Sequence, residues 1–142
     1  MSKIIKTRLL LIIFPCCFLS AQITAHHAFT AEFDPNAPVE LEGVVTRVEF
    51  INPHAWIHID VTDEDGAVTA WMIEGGTPNT LLRRGLTPAA LPIGSQVVVQ
   101  GYQSRDQACN PSCKANGRDV TFPDGRQVFM GSAGIGAPPP VQ

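Results

Sequence analysis

The chain has 142 residues, of which 44% are hydrophobic and 16% are charged, and its formal net charge is −3 at pH 7. The seven Lys and Arg residues after residue 25 are scattered along the chain, which argues against a protein that binds the phosphate backbone of nucleic acids. The length suits one domain with one core, and twelve Gly and twelve Pro residues predict many turns.

Residues 1–25 have the pattern of a secretory signal peptide. Three basic residues precede the apolar run at residues 9–14, and the first acidic residue of the chain is Glu32. The apolar run is much shorter than the roughly 20 residues that span a bilayer. We therefore predict export to the periplasm or beyond, with no stable membrane anchor after processing.

Two alanines offer positions for cleavage of this signal. Cleavage after Ala25 makes His26 the first mature residue, whereas cleavage after Ala21 makes Gln22 the first. Neither position is a clean A-x-A site, and we favour Ala25. Cleavage at either position removes three basic and no acidic residues, so the mature chain has a formal charge of −6. A cation is therefore the better candidate for a small partner.

Alternating hydrophobic and polar residues predict strands through most of the mature chain. Thr77 and Pro78 predict the start of a short helix that ends at Gly85, and a further helical turn follows at Thr87. Gly43 marks a bend in the first strand. The predicted strands are residues 39–50, 55–61, 67–74, 96–102, 119–122 and 126–129.

This order of elements predicts an all-β domain. Three strands, one short helix and then further strands are typical of a small OB-like barrel of five to six strands, and a small β-sandwich is the alternative. The predicted organisation is a single domain at residues 26–130, which begins with an N-terminal arm at residues 26–38. A flexible Gly/Ala/Pro-rich tail follows at residues 131–142.

Two cysteines remain in the mature chain. Cys109 and Cys113 flank an Asn-Pro turn, and in an oxidising compartment such a pair most simply forms a disulfide. A redox role or a thiolate metal site is the alternative, although the pair lacks the C-x-x-C spacing of a thioredoxin-like site.

Several short motifs resemble the secreted bacterial domain-of-unknown-function family sixty-one fifty-two. The most specific are the histidine pair at His26–Phe29 and the Asn-Pro-His sequence at Asn52–Trp56. The resemblance covers nearly the whole mature domain and implies export, but the family provides no established activity. The other matching segments are Glu42–Val45, Trp71 with Glu74, Leu81–Gly85 and Pro123–Arg126.

The four histidines occur in two places and are the sharpest chemical clue. If His26 is the mature N-terminus, its α-amine and imidazole form a nitrogen chelate suited to Cu(II), and His27 adds a second imidazole. His54 and His58 lie on one strand face, roughly 13 Å apart at about 3.3 Å per residue. We therefore predict a metal site of His26, His27 and His54, with ordinary structural roles for His54 and His58 as the alternative.

Trp56, Trp71 and Glu74 complete the candidate residues. Together with His58 they form a candidate ligand surface, although half-buried strand tryptophans more often pack against a core. Glu74 ends its predicted strand and is either a ligand or a helix-capping partner. The sequence shows no arrangement typical of a catalytic triad, a carboxylate pair or a phosphate-binding loop.

These observations support three hypotheses. The leading one is a periplasmic binding protein that holds copper or another divalent ion through its N-terminal histidines. The alternative is a structural or partner-binding module that uses its N-terminal arm on another periplasmic protein or subunit. A copper-dependent oxidase ranks lowest, because only part of the required open metal site is visible in the sequence. An enzyme is therefore the less favoured class, and the oligomeric state is left open.

Overall fold

The computed structural model describes residues 29–131, and β-strands account for more than half of these described residues. The predicted signal peptide, His26, His27 and residues 132–142 of the tail lie outside the described residues. Residues 29–32 are helical, α1 is Pro78–Arg83, and a 3₁₀ turn covers Pro88–Ala90. The strands are β1 (Phe33–Ile51), β2 (His54–Thr62), β3 (Val68–Glu74), β4 (Gln96–Ser104), β5 (Cys113–Thr121) and β6 (Gln127–Phe129).

The strands form one sheet that closes on itself. Neighbouring strands in the order β3-β2-β1-β4-β5-β6 are antiparallel, and a parallel pairing of β3 with β5 completes a ring of β1 to β5. α1 lies between β3 and β4 in the chain. This arrangement is an OB-like barrel with one short helix, so the predicted fold is confirmed and the β-sandwich alternative is wrong.

β1 pairs with strands in both halves of the barrel. Its first part pairs with β4, as in Leu41 with Val99, and its second part pairs with β2, as in Phe50 with Ala55. Gly43 lies where the strand passes from one partner to the other, and a Cβ there would lie 2.7 Å from the carbonyl oxygen of Asp60. The close approach of two strands therefore requires a glycine at the predicted bend.

Side chains that alternate along the strands fill the barrel. Ala55, Ile57 and Ile59 of β2 point inward with Ile73 of β3, and each is at most 1% exposed. α1 contributes the fully buried Leu81 to the same core. Residues of even number on β2 and β3 consequently point to the outer face of the sheet.

Two strands, β1 and β5, begin well before their predicted first residues. β1 begins at Phe33 because residues of the predicted arm pair with β4, with Phe33 opposite Ser104 and Pro38 opposite Tyr102. β5 begins at Cys113, whereas the sequence predicted a strand only from residue 119. The segment before Asp119 shows little hydrophobic alternation, and its strand conformation depends on pairing with β3 and β4.

The predicted disulfide between Cys109 and Cys113 is present. Cys113 is the first residue of β5 and is only 5% exposed, whereas Cys109 lies in the exposed loop after β4. The bond therefore attaches the loop at residues 105–112 to the start of β5. Between residues 29 and 131, no helix has the length and apolar character needed to cross a membrane.

A glycine in the contact between β4 and β5 provides a test of this packing. A Cβ at Gly101 would overlap the backbone oxygen of Asn116, which a side-chain rotation cannot relieve. We expect Gly101→Ala to lower the free energy of unfolding by about 2 kcal/mol or more. Thr69→Ala, at an exposed strand position, is the control and should change it by about 0.5 kcal/mol. Denaturant unfolding measures both, and equal effects would contradict the described register.

Candidate functional site

The predicted residues His54, Trp56 and Glu74 come together on the outer face of the barrel, beside the seam between β3 and β5. We call this group, with three further side chains that contact it or lie beside it, the Glu74 cluster. Its members are Glu32, Phe33, His54, Trp56, Glu74 and Lys114.

The centre of the cluster is a histidine–carboxylate pair. Trp56 lies directly opposite Glu74 in the β2–β3 register, and His54 lies two residues before Trp56 on the same face. The diagonal position brings the Nδ1 of His54 to 2.5 Å from the Oε1 of Glu74. Glu74 is only 6% exposed, whereas 39% of the His54 side chain is exposed. The carboxylate is therefore enclosed while the histidine ring still reaches the surface.

The surroundings of Glu74 perturb its titration. Burial disfavours the charged carboxylate and raises the pKa of Glu74, and the negative charge of Glu32 acts in the same direction. The positive charges of His54 and Lys114 and the hydrogen bond from His54 oppose this effect. Burial is the largest of these influences, so the pKa of Glu74 lies above its ordinary value.

Lys114 connects the cluster to the N-terminal segment. Its Nζ lies 5.0 Å from the ring centre of Trp56 and 5.6 Å from that of Phe33, and it contacts the Glu32 carboxylate. Lys114 is placed there because it lies opposite Met72 in the parallel pairing of β5 with β3. Two aromatic faces and one carboxylate therefore surround a single ammonium group.

Aromatic contacts and hydrogen bonds hold residues 29–33 on the barrel. The Phe29 ring lies 5.7 Å from Phe33 and 5.8 Å, edge to face, from Tyr102. Arg105 donates from its backbone N–H to the Glu32 carbonyl at 2.9 Å and from its Nε to the Thr30 carbonyl at 2.6 Å. The described part of the predicted arm therefore packs on its own barrel.

His58 belongs to a different group of side chains. Its Nε2 lies 3.1 Å from the Oε1 of Glu49, which also contacts Arg47. Burial, followed by the positive charge of Arg47, lowers the pKa of His58. His58 lies four residues from His54 along β2, and this distance keeps the two histidines in separate groups, as the sequence spacing predicts.

Trp71 lies on the other face of the sheet from Trp56. It pairs with Ile59 and packs against the hydrophobic core, because odd-numbered residues of β3 point inward. The candidate ligand surface of Trp56, His58, Trp71 and Glu74 is therefore divided, and only Trp56 and Glu74 belong to the Glu74 cluster. Glu74 is also not a helix-capping side chain, since α1 begins after Thr77 with no side-chain cap hydrogen bond.

Within residues 29–131, no three His, Cys, Asp or Glu side chains are arranged to hold a metal ion. Of the predicted ligands, the structure describes His54, whereas His26 and His27 lie outside the described residues. The sequence analysis missed Glu32, Phe33 and Lys114. The available signal was the pair of charges at Glu32 and Lys114, but their contact depends on the unpredicted first half of β5.

The fold and this cluster define an OB-like barrel with an enclosed carboxylate and a half-exposed histidine on its outer face. The model of a family of unknown function, DUF6152, matches residues 16–111, and the chain belongs to this family. It is the family that the sequence motifs resemble. No curated protein matches the chain.

Among the solved structures similar to this chain is the N-terminal domain of the PriB protein from Thermoanaerobacter tencongensis, described as dimeric. The sequence identity is 20% and the TM-score is 0.39, and the match covers 61% of this chain and 96% of that domain. The strand order and closure described above define the OB-like class independently of this similarity.

Two titrating groups should have opposite effects on stability. The pKa of Glu74 is raised, so the folded protein binds more protons than the unfolded chain above the ordinary value of 4.5. The free energy of unfolding should therefore fall as the pH rises from 4.5 through the raised pKa. The pKa of His58 is lowered, so stability should fall as the pH decreases below 6.5.

Two variants separate these contributions. We expect Glu74→Gln to remove the decrease on the alkaline side of pH 4.5, and His58→Gln to remove the loss on the acidic side of pH 6.5. Denaturant unfolding at a series of pH values measures both effects. An unchanged profile for Glu74→Gln would contradict the enclosed position of this carboxylate.

Proposed function

We propose that the protein is a small periplasmic binding protein that holds a divalent transition metal, copper, through His26, His27 and His54. Export and cleavage after Ala25 are parts of this proposal, because the α-amine of His26 is one of the proposed ligands. The observation that carries it is the half-exposed imidazole of His54, which is oriented by the enclosed carboxylate of Glu74.

The His54–Glu74 pair has the chemistry of a metal-ligating histidine and its supporting carboxylate. A histidine that binds a metal through one ring nitrogen almost always donates a hydrogen bond from the other, often to a carboxylate. Here Nδ1 faces Glu74 at 2.5 Å, which leaves Nε2 for a ligand. Glu74 is accordingly assigned as a positioning residue and His54 as the ligand.

The position of Phe29 supports participation of the N-terminal histidines. His27 and His26 are two and three residues before Phe29, whose ring packs on Phe33 and Tyr102. A chain of two or three residues reaches roughly 7 to 10 Å when extended. Phe33 and His54 belong to the same cluster, so the remaining nitrogen ligands start from an anchor beside it.

The local charge favours a cation. The Glu74 cluster contains two carboxylates, Glu32 and Glu74, and one ammonium, Lys114, while the histidine ring must be neutral to ligate. The ammonium already contacts Glu32. With Glu74 ionised, a divalent ion near His54 would therefore meet a site with a net negative charge.

The alternatives have weaker support. An assembly module would use the N-terminal arm on another subunit, but residues 29–38 of that arm are engaged with β4 and Arg105 of their own chain. Light scattering of the full mature chain and of a chain that starts at residue 33 would detect such a role as a change in mass. A copper-dependent oxidase would additionally need a substrate at an open metal position.

Metal binding can be tested on protein purified from the periplasm. We expect native mass spectrometry to show a chain that begins at His26 and binds one Cu(II). His54→Ala should weaken binding at least tenfold because one nitrogen ligand is lost. Glu74→Gln should weaken it by about tenfold, the lower end of the effect of removing a supporting carboxylate.

His58→Ala is the matched control, because it removes a histidine of the same strand that faces Glu49 instead. It should leave copper affinity unchanged. A mature chain that begins at His26 but binds no copper would overturn the proposal. Equal affinity of wild type and His54→Ala would restrict the site to the N-terminal pair.

A further inference from the structure

A groove that shares Glu32 and Lys114 with the Glu74 cluster is a second candidate binding site. Its volume is about 610 Å³, within the usual range for small-molecule pockets. One wall is the helical segment with Ala31 and Glu32, and the other is the loop at residues 105–112. Met72 and Lys114, which are opposite each other in the β3–β5 pairing, contribute to the lining between them.

The groove presents charges of both signs. Arg105 and Lys114 supply two cations, and Glu32 and Asp106 supply two carboxylates. A simple anion would meet the carboxylates and a simple cation would meet the basic groups. A ligand that carries both charges can satisfy both sets at once.

Arg105 and Asp106 retain hydrogen-bonding capacity for a ligand. Arg105 donates to the Thr30 carbonyl from Nε and approaches Asp34 at 3.7 Å through Nη2, while its guanidinium carries five N–H donors. Its side chain is 46% exposed. Asp106 accepts the Ala108 N–H through Oδ1, and a carboxylate has about four acceptor positions. A carboxylate ligand would match the planar fork of Arg105.

The remaining lining suits a peptide backbone and small side chains. Asn110 and Ser112 add polar groups on the loop, and Met72 adds a flexible apolar surface that adapts to different shapes. The Cys109–Cys113 disulfide fixes this loop to β5 and so shapes the wall before a ligand arrives.

We propose that the groove binds short peptides with free termini. The peptide carboxylate contacts Arg105, its ammonium contacts the acidic side chains of Glu32 and Asp106, and its side chains lie toward Met72. Recognition by the two termini and the backbone makes the site tolerant of peptide sequence. This site is separate from the proposed copper ligands and does not require a metal.

Trialanine is a suitable probe because it has both termini and only methyl side chains. In protein kept metal-free with a chelator, we expect trialanine to shift the amide NMR signals of Met72, Ser112 and Lys114. N-acetyl-trialanine and trialanine amide, each lacking one terminal charge, should bind at least tenfold more weakly. Equal binding of all forms, tighter binding of either blocked form, or no shifts at millimolar peptide would overturn the proposal.

Two arginines with equal exposure provide the matched pair of variants. Arg105→Gln should weaken trialanine binding at least tenfold, whereas Arg126→Gln should not, since Arg126 is also 46% exposed but lies beside Asp124 and Phe122. Arg105→Gln also loses a contact to Thr30, so Asp106→Asn is a second variant that leaves that contact in place. Asp106→Asn should weaken the binding of trialanine but leave the affinity for N-acetyl-trialanine unchanged. An equal loss for both peptides would contradict the assigned role of Asp106.

Discussion

The parallel pairing between β3 and β5 is the constraint on which the barrel and its outer face depend. It involves four residue pairs, from Trp71 with Cys113 to Glu74 with Asn116. Without it, the strands would form an open antiparallel sheet with β3 at an unprotected edge. The same pairing places Met72 opposite Lys114 and thereby puts a basic side chain on the face that carries Glu74. Closure of the sheet therefore also brings Lys114 to the Glu74 cluster, whose His54–Glu74 pair is set by the pairing of β2 with β3.

The N-terminal segment lies over this seam, and apolar burial contributes most to holding it there. Phe33 is 2% exposed, and complete burial of a Phe side chain contributes about 1.5 to 3 kcal/mol. Lys114 is 28% exposed, so its ion pair with Glu32 contributes at most about 1 kcal/mol. Each exposed cation–π contact adds about 0.5 to 1 kcal/mol. Burial of the Phe33 ring thus anchors the segment, while the contacts of Lys114 determine which part of the outer face the segment covers.

The sequence predicted those features that depend on local pattern. Alternation along β2 identified the inward side chains and correctly separated His54 from His58, and the Asn52-Pro53 connection between β1 and β2 was also visible. Pairing between distant segments could not be predicted in the same way. The start of β5 is polar and irregular in pattern, so its position beside β3 follows from closure of the barrel. Lys114 and Glu32, which are 82 residues apart, are consequently absent from any local motif.

Trp71 and Glu74 illustrate the same limit at the level of single residues. Both are on β3, but an odd number of positions separates them, so one packs in the core and the other faces outward. The sequence-based prediction placed both on one surface because it grouped them by residue type and did not consider which strand face each occupies. Applied consistently, the two-residue period would have separated them without a structure.

The enclosure of Glu74 is costly, which is informative about its role. Removing a carboxylate from water costs on the order of several kcal/mol unless partners compensate, and the raised pKa shows that burial outweighs the compensation from His54 and Lys114. An apolar side chain of similar size would fill the position at lower cost to stability. Burial of the Glu74 charge therefore opposes stability, while its contact with His54 orients a ring of which 39% of the side chain remains exposed. Groups whose environment opposes their charge are concentrated at functional sites. By this criterion the outer face at the β3–β5 seam, and not the well-packed interior, is the part of the described residues that supports the proposed site.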